Sequence, residues 1–391
     1  MKKTILLRAP LLTQSGYGVH SRQVARWLFD YADRVGNIEI HTELLNWGQT
    51  PWLTNVYEQS GLIGRIFQAS YKKLDKYDVS IQLQLPNEWC EELADTNIGI
   101  TAGVEADRVN QEWINCVNKM SLVIVPSEYS KKAFSNTGPT TTEICVIPES
   151  YFDELENISS IEPLGLNPET KFNFLIFGQF TSNVAEEDRK NLGYTLKWLC
   201  EEFQNDSDVG IILKTNLGRN SEIDKQFANN MLVKLLDQVS VKANPKIYLL
   251  HGEMSNLDIA KLYKEPSVKG FVTLTHGEGF GLPILESAVA KIPIIASNYS
   301  AHTEYLKLGK FIPIETKSSP VPAGRIDNQI FMPGAQWGEP SEVDFKNKIR
   351  KFYKSSEIPK QWAIELSEKL TKNYCFDSIS SKYTELLGKF L

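Results

Sequence analysis

The 391-residue chain lacks any apolar run approaching the roughly 20 residues needed to cross a bilayer, which argues against a membrane-spanning helix. Its start, MKKTILLRAPLL, imitates a secretion leader only briefly, because Arg8 and Pro10 interrupt the apolar stretch. It reads as a first strand, and the protein as cytoplasmic. The five cysteines are widely spaced and include no CxxC; Cys145 and Cys200 stand among apolar residues, which favours buried thiols over disulfides. The five histidines show no HxxxH spacing, and no Asp-x-Asp pair stands in a loop suited to one, so no metal is expected. Basic charge is also scarce. Net charge is −6, with 14 Lys and Arg against 22 Asp and Glu in residues 1–170, and 28 against 26 in the remainder. That balance weighs against DNA or an anionic membrane as partner. Repeats and low-complexity tracts are absent.

What the chain does have is residues 271–297, FVTLTHGEGFGLPILESAVAKIPIIAS. A short β-branched run precedes HGEGFG, a helix-like PILESAVAK follows, and PIIAS is a second short strand. Gly277, Gly279 and Gly281 let the backbone turn tightly and approach a ligand, and Pro283 suits the first helical position. The amides of Gly281, Leu282 and the first helical turn then offer N–H groups to an anion at the helix start. Glu278 and Glu286 complete the segment as acceptors for hydroxyl groups, since a carboxylate is a poor phosphate ligand. A nucleotide sugar presents that combination, a diphosphate flanked by ribose and hexose hydroxyls. The stretch E-G-F-G-L-P-x-L-E resembles the motif of retaining glycosyltransferases of the GT-B fold, notably glycosyltransferase family 4.

Strand-like and helix-like runs alternate along the chain, the pattern of an α/β protein with parallel sheets. Gly16 and Gly18, between TILLRAP and VHSRQVARWLFDYADR, form a second glycine turn whose amides suit an anion, although glycine at such a turn is as often only a turn. The order SLVIVPS, SEYSKKAFSNTG, TEICVIPES resembles the close of the family's first domain. Polar residues 151–170 read as a linker, and residues 310–343, with five prolines around Trp337, as an irregular insertion. The resemblance implies a GT-B architecture, two Rossmann-like domains facing across a cleft. An acceptor domain would span residues 1–165 and a donor domain 166–371, with a C-terminal helix at 372–391 crossing back.

Arg189 and Lys190 stand at a helix start, where positive charge opposes the helix dipole and bound anion would explain both. The resemblance makes Glu278, Arg189 and Lys190 catalytic, the two cations neutralising the donor diphosphate as charge develops on it. Relatives carry an Arg where this chain has Gln179, and Lys214 at the end of VGIILK is the candidate substitute. Gly16, Gly18, Lys214, Gly252, Met254, Gly279, Phe280, Gly281, Leu282 and Glu286 are the expected donor contacts, Gly252 and Met254 beside the nucleobase. Tyr17 and Glu105 are the expected acceptor contacts, with Glu105 standing where relatives often have His; His302 is expected to cap or pack. The implied reaction is transfer of a sugar from a nucleoside diphosphate to a hydroxyl acceptor with retention, the leaving phosphate taking the acceptor proton. Glycan, lipid-linked, small-molecule and modified-base acceptors all stay open. A nucleotide-sugar epimerase and a non-catalytic nucleotide-sugar-binding module are the alternatives; a glycosidase leaves the glycine loops unexplained, and GYGVHS lacks the third glycine of a dehydrogenase.

Overall fold

The computed structural model describes residues 2–240 and 245–391. The chain divides into two compact units, Met1–Ser150 with Phe376–Leu391, and Tyr151–Cys375.

In the first unit, β1 (Lys3–Ala9), β2 (Ile38–Leu44), β3 (Tyr77–Leu83), β4 (Ala94–Ile100), β5 (Leu122–Val125) and β6 (Ile144–Val146) form one parallel sheet in the order β2-β1-β3-β4-β5-β6. Helices α1 (Gly16–Val35), α2 (Leu62–Ser70), α3 (Gln111–Asn118) and α4 (Glu128–Thr137) join the strands. Strands covered on both faces read as continuous apolar runs, and LVIV of β5 is buried at all four positions. The chain leaves β1 toward β2 on one side and returns to β3 on the other. The crevice at the carboxyl ends of β1 and β3 is therefore the topological switch point, the usual ligand position in such sheets.

The second unit repeats the plan. Here β7 (Phe172–Phe177), β8 (Val209–Thr215), β9 (Lys246–His251), β10 (Val268–Thr273), β11 (Ile294–Ser297) and β12 (Ile312–Ile314) pair in parallel in the order β12-β11-β10-β7-β8-β9. The switch point lies between β7 and β10. Around the sheet run α5 (Leu192–Phe203), α6 (Glu222–Gln238), α7 (Asn256–Tyr263), α8 (Leu282–Val289), α9 (His302–Leu306), α10 (Glu342–Lys354) and α11 (Glu357–Tyr374). Leu192, Leu196, Leu199 and Phe203 put one stripe of α5 onto Phe174, Ile211, Leu213 and Val272 of the sheet. Phe345, Ile349 and Phe352 of α10 fill the same core.

Two expectations need correction. Residues 310–343 are only partly irregular: β13 (Thr316–Pro320) and β14 (Gln336–Pro340) form an antiparallel ribbon with Trp337 only 1% exposed. Proline at the ends of the paired stretch, Pro320 and Pro340, masks the strand pattern without breaking the ladder. The polar stretch 151–170 is not a free linker. Asp153–Ser160 winds as a 3-10 helix burying Leu155 and Ile158, and Leu164 donates its N–H to the Lys261 carbonyl at 3.2 Å. The last helix, α12 (Phe376–Leu387), belongs to the first unit. There Tyr383 lies 5.1 Å from Trp27 of α1, and Trp27 Nε1 donates to Thr384 Oγ1 at 3.0 Å.

Gly16 and Gly18 sit in the first turn of α1 rather than in a loop before it. A Cβ on Gly18 would lie 2.0 Å from the Thr13 carbonyl oxygen, whereas one on Gly16 meets nothing within 4 Å. Gly18→Ala is therefore expected to destabilise the protein by about 2 kcal/mol through overpacking. Gly16→Ala should stay within about 0.5 kcal/mol, both measured by urea unfolding followed on the tryptophans.

Candidate active site

Because the sheet of the second unit is parallel, every loop after a strand end emerges on one edge. Two of these loops meet at the switch point: residues 178–191 after β7 and 274–281 after β10. Asp188, 1% exposed, shapes the first. Its carboxylate accepts the Thr181 N–H and hydroxyl at 3.1 and 2.6 Å, and the Leu192 N–H at 2.8 Å. It thereby caps α5 while Asn191 takes the left-handed conformation at φ 54° and donates through Nδ2 to the Leu274 carbonyl. The sequence reading missed Asp188, although an acidic residue four positions before a leucine stripe is a capping signal.

The loop presents Arg189 and Lys190 to the second loop. Lys190 Nζ lies 2.6 Å from Glu278 Oε1, Arg189 Nη1 lies 3.8 Å from Oε2, and the same Nη1 donates to the Gly277 carbonyl at 3.3 Å. Glu278 is 7% exposed. Burial pushes its carboxyl up, but the charges of Lys190 and Arg189 outweigh burial and hold it below the ordinary value, so it is ionised at neutral pH. All three expected catalytic residues are therefore in one cluster.

A relay supports the carboxylate from behind. The Glu278 N–H donates to Ser300 Oγ at 2.9 Å; Ser300 Oγ lies 3.4 Å from His302 Nδ1, and His302 Nε2 lies 2.7 Å from the Ser297 carbonyl. A carbonyl only accepts, so Nε2 carries the proton and Nδ1 receives the Ser300 hydroxyl. Ser300 holds a strained φ of 68° to make this contact. His302 packs and orients, as expected, with burial lowering its pKa.

Helix α8 starts beside the cluster. Gly281 is its N-cap at φ 91° and ψ 55°, with no side chain capping the first turn. Of the three alternating glycines only Gly281 has positive φ, and its carbonyl accepts Tyr305 Oη at 2.9 Å. Pro283 occupies the second helical position rather than the first, so the Leu282 N–H has no helical acceptor. Gly279 and Phe280 precede it in the same turn, Phe280 buried against Tyr305. On the next turn the half-buried Glu286 accepts Tyr263 Oη at 3.3 Å. Burial raises its carboxyl to about 7, the Tyr263 bond offsetting part of that.

Lys214 lies in register with Phe177 of the neighbouring strand, immediately before Gly178 and the exposed Gln179. Its Nζ donates to the Gly252 carbonyl, and burial lowers its pKa to about 8. Gly252 itself sits at φ 107°, and Met254 follows half-buried in the loop after β9.

The remaining expected residues belong to the first unit. Gly18 gives its N–H to Ser15 Oγ at 3.0 Å, so this amide is taken by the helix cap and is not offered to an anion, contrary to expectation. The Tyr17 ring packs tilted against Trp47 with centroids 4.7 Å apart, and its Oη lies 3.0 Å from Thr101 Oγ1 and accepts the Ala102 N–H at 3.2 Å. Burial first, and then the charges of Glu105 and Glu149, push the Tyr17 phenol well up; Glu105 thus stands within electrostatic reach of Tyr17. Among the described residues no group of His, Cys, Asp or Glu is placed to hold a metal, and no helix is long and apolar enough to cross a membrane.

Residues 230–320, which include the glycine loop, α8 and the relay, match the model of glycosyl transferases group 1. This segment is similar to group 1 glycosyl transferases, and the chain has the GT-B fold. A glycosyltransferase from Rickettsia africae superposes with a TM-score of 0.65 at 13% identity, over 100% of this chain and 98% of its own. Sucrose-phosphate synthase from Thermosynechococcus elongatus gives 0.65 at 12% identity, covering 99% of each chain. HepE of Anabaena, in complex with UDP-glucose, gives 0.55 at 12% identity, covering 99% of each. No curated protein sequence matches significantly. The group 1 segment holds Glu278 and Glu286, while Arg189, Lys190 and Lys214 reach it from outside.

Lys190→Ala removes the nearer partner of a buried carboxylate. It is expected to cost about 3 kcal/mol at pH 7, and a Lys190→Ala, Glu278→Gln double variant should recover at least half of that in unfolding measurements. The carboxyl of Glu286 titrates higher folded than unfolded, so between about pH 4.3 and about 7 the folded state binds more protons and stability falls as pH rises. Glu286→Gln should therefore raise Tm more at pH 8 than at pH 5, and equal shifts at both would refute the assignment.

Proposed function

We propose that this glycosyltransferase moves a sugar from a nucleoside diphosphate to a hydroxyl-bearing acceptor with retention of anomeric configuration and without a metal. The observation that carries the reading is the Lys190–Glu278–Arg189 cluster at the switch point, next to the uncapped start of α8. Departure of a diphosphate from an oxocarbenium-like centre needs positive charge on one side and hydroxyl acceptors on the other. Lys190, Arg189 and the Leu282 amide supply the first. Glu278, kept ionised by those cations, supplies the second, and its fixed backbone orients the anomeric carbon.

In this reading Glu286 takes the ribose hydroxyls, the main chain at Gly252 and Met254 borders the base, and Lys214 replaces the charge missing at Gln179. Tyr17 and Glu105 are the acceptor-side residues, with the Glu105 carboxylate suited to a hydroxyl and unsuited to a phosphate backbone. HepE was captured with UDP-glucose, which supports a nucleotide sugar as donor.

Thermal-shift measurements against UDP-glucose, UDP-N-acetylglucosamine, GDP-mannose and ADP-glucose should find one donor that raises Tm by several degrees. A donor at 100 times its Kd contributes about 2.7 kcal/mol. With that donor and a panel of sugar acceptors, the product anomer read by NMR should match the donor's, at a rate unchanged by EDTA. An inverted product, or activity lost to EDTA and restored by a divalent ion, would overturn the reading.

A further inference from the structure

One buried group beside the cluster takes no part in the proposed transfer. His276, two residues before Glu278, is 3% exposed. Its ring lies flat on Trp337 of β14, with centroids 4.2 Å apart and planes 9° from parallel. Nδ1 lies 2.6 Å from the Gly338 carbonyl, and the Gly338 N–H donates back to the His276 carbonyl at 2.7 Å. On its other flank the His276 N–H donates to the Arg189 carbonyl at 3.0 Å. The imidazole is thus wedged between the Arg189 loop and the β13–β14 ribbon. On its far side Gly338 packs against Tyr299, where a Cβ would lie 2.6 Å from the ring, so the ribbon is held close at this position.

The bond to Gly338 fixes the tautomer. A carbonyl requires a donor, so the proton is on Nδ1. Burial lowers the ring's pKa to about 4, with the Gly338 bond opposing, so the ring is neutral and Nε2 holds a lone pair. Among the described residues Nε2 has no protein partner. An acceptor nitrogen held rigid by stacking, and not bonded within the chain, has defined chemistry. It repels phosphate oxygens, which carry no proton at neutral pH, and takes a hydroxyl or amide N–H.

We infer that His276 is a donor-contact residue whose Nε2 accepts a hydrogen bond from the transferred sugar, adjacent to the hydroxyls held by Glu278, with the Trp337–Gly338 ribbon as its positioning element. This rests on the donor reading above. It adds that recognition of the sugar ring, as distinct from its diphosphate, depends on the ribbon.

The test compares His276→Asn, which keeps an N–H where Nδ1–H stands but has nothing at Nε2, with His276→Gln, whose carbonyl oxygen falls near Nε2. Calorimetry on the whole protein uses whichever of the four nucleotide sugars binds wild type tightest, and the matching free nucleoside diphosphate. His276→Asn should weaken the nucleotide sugar roughly 3- to 10-fold and leave the free diphosphate within twofold, and His276→Gln should recover most of the loss. Equal weakening of both ligands, or weakening of neither, overturns the assignment. Should His276→Asn fail to fold, wild type is titrated with the 2-, 3-, 4- and 6-deoxy forms of the sugar donor. One of them must lose a similar factor, and no loss from any of them is equally fatal. Wild type binding none of the four nucleotide sugars is a different failure, that of the donor reading itself.

Discussion

The interaction on which the second unit's site depends is a carboxylate taken out of water and compensated by two cations from a different loop. Glu278 alone, buried beside the α8 start, would shift toward its neutral form. Lys190 and Arg189 reverse that, and in doing so tie the loop after β7 to the loop after β10. These are the two strands flanking the point where chain order reverses, so one electrostatic contact spans the crevice where an α/β sheet leaves space. Asp188 fixes the cationic loop, and the Ser300–His302 relay fixes the anionic one. Charge, tautomer and backbone strain thus converge on the position of a single carboxyl group.

The parallel sheets were legible because strands buried on both faces are written as unbroken apolar runs, and the glycine loop because φ 91° at Gly281 leaves little choice of residue. The resemblance placed Glu278, Arg189 and Lys190 in one site, and the helix dipole pointed to an anion near the two cations, but their direct pairing with Glu278 was not foreseen. What escaped was whatever depends on distant partners. Helix α6 carries exposed Ile223 and Phe227 as well as buried Ala228, Leu232 and Leu235, so its apolar residues surround it and give no clear stripe. The β13–β14 ribbon pairs strands separated by a 15-residue excursion rich in turn residues, and nothing local announces the register. The Gly18 amide looked available because its acceptor, Ser15, is a side chain that only the folded helix start brings round.

The same limit applies to the polar side chains. Sequence position singled out Glu286 and Lys214 but not their protonation, which burial moves toward neutrality, one up to about 7 and the other down to about 8. Such groups have proton affinities that respond to whatever enters the site, since a bound ligand replaces water around them.

The discontinuous make-up of the first unit has a consequence for how the polypeptide matures. Its sheet is finished by residue 146, yet Trp27 and His20 of α1 find Tyr383 and Thr384 only in α12. During synthesis the entire second unit emerges, with all its strands, before that helix exists. Until translation reaches α12, the α1 side chains that meet it lack those partners, so the first unit begins before the second and is completed after it.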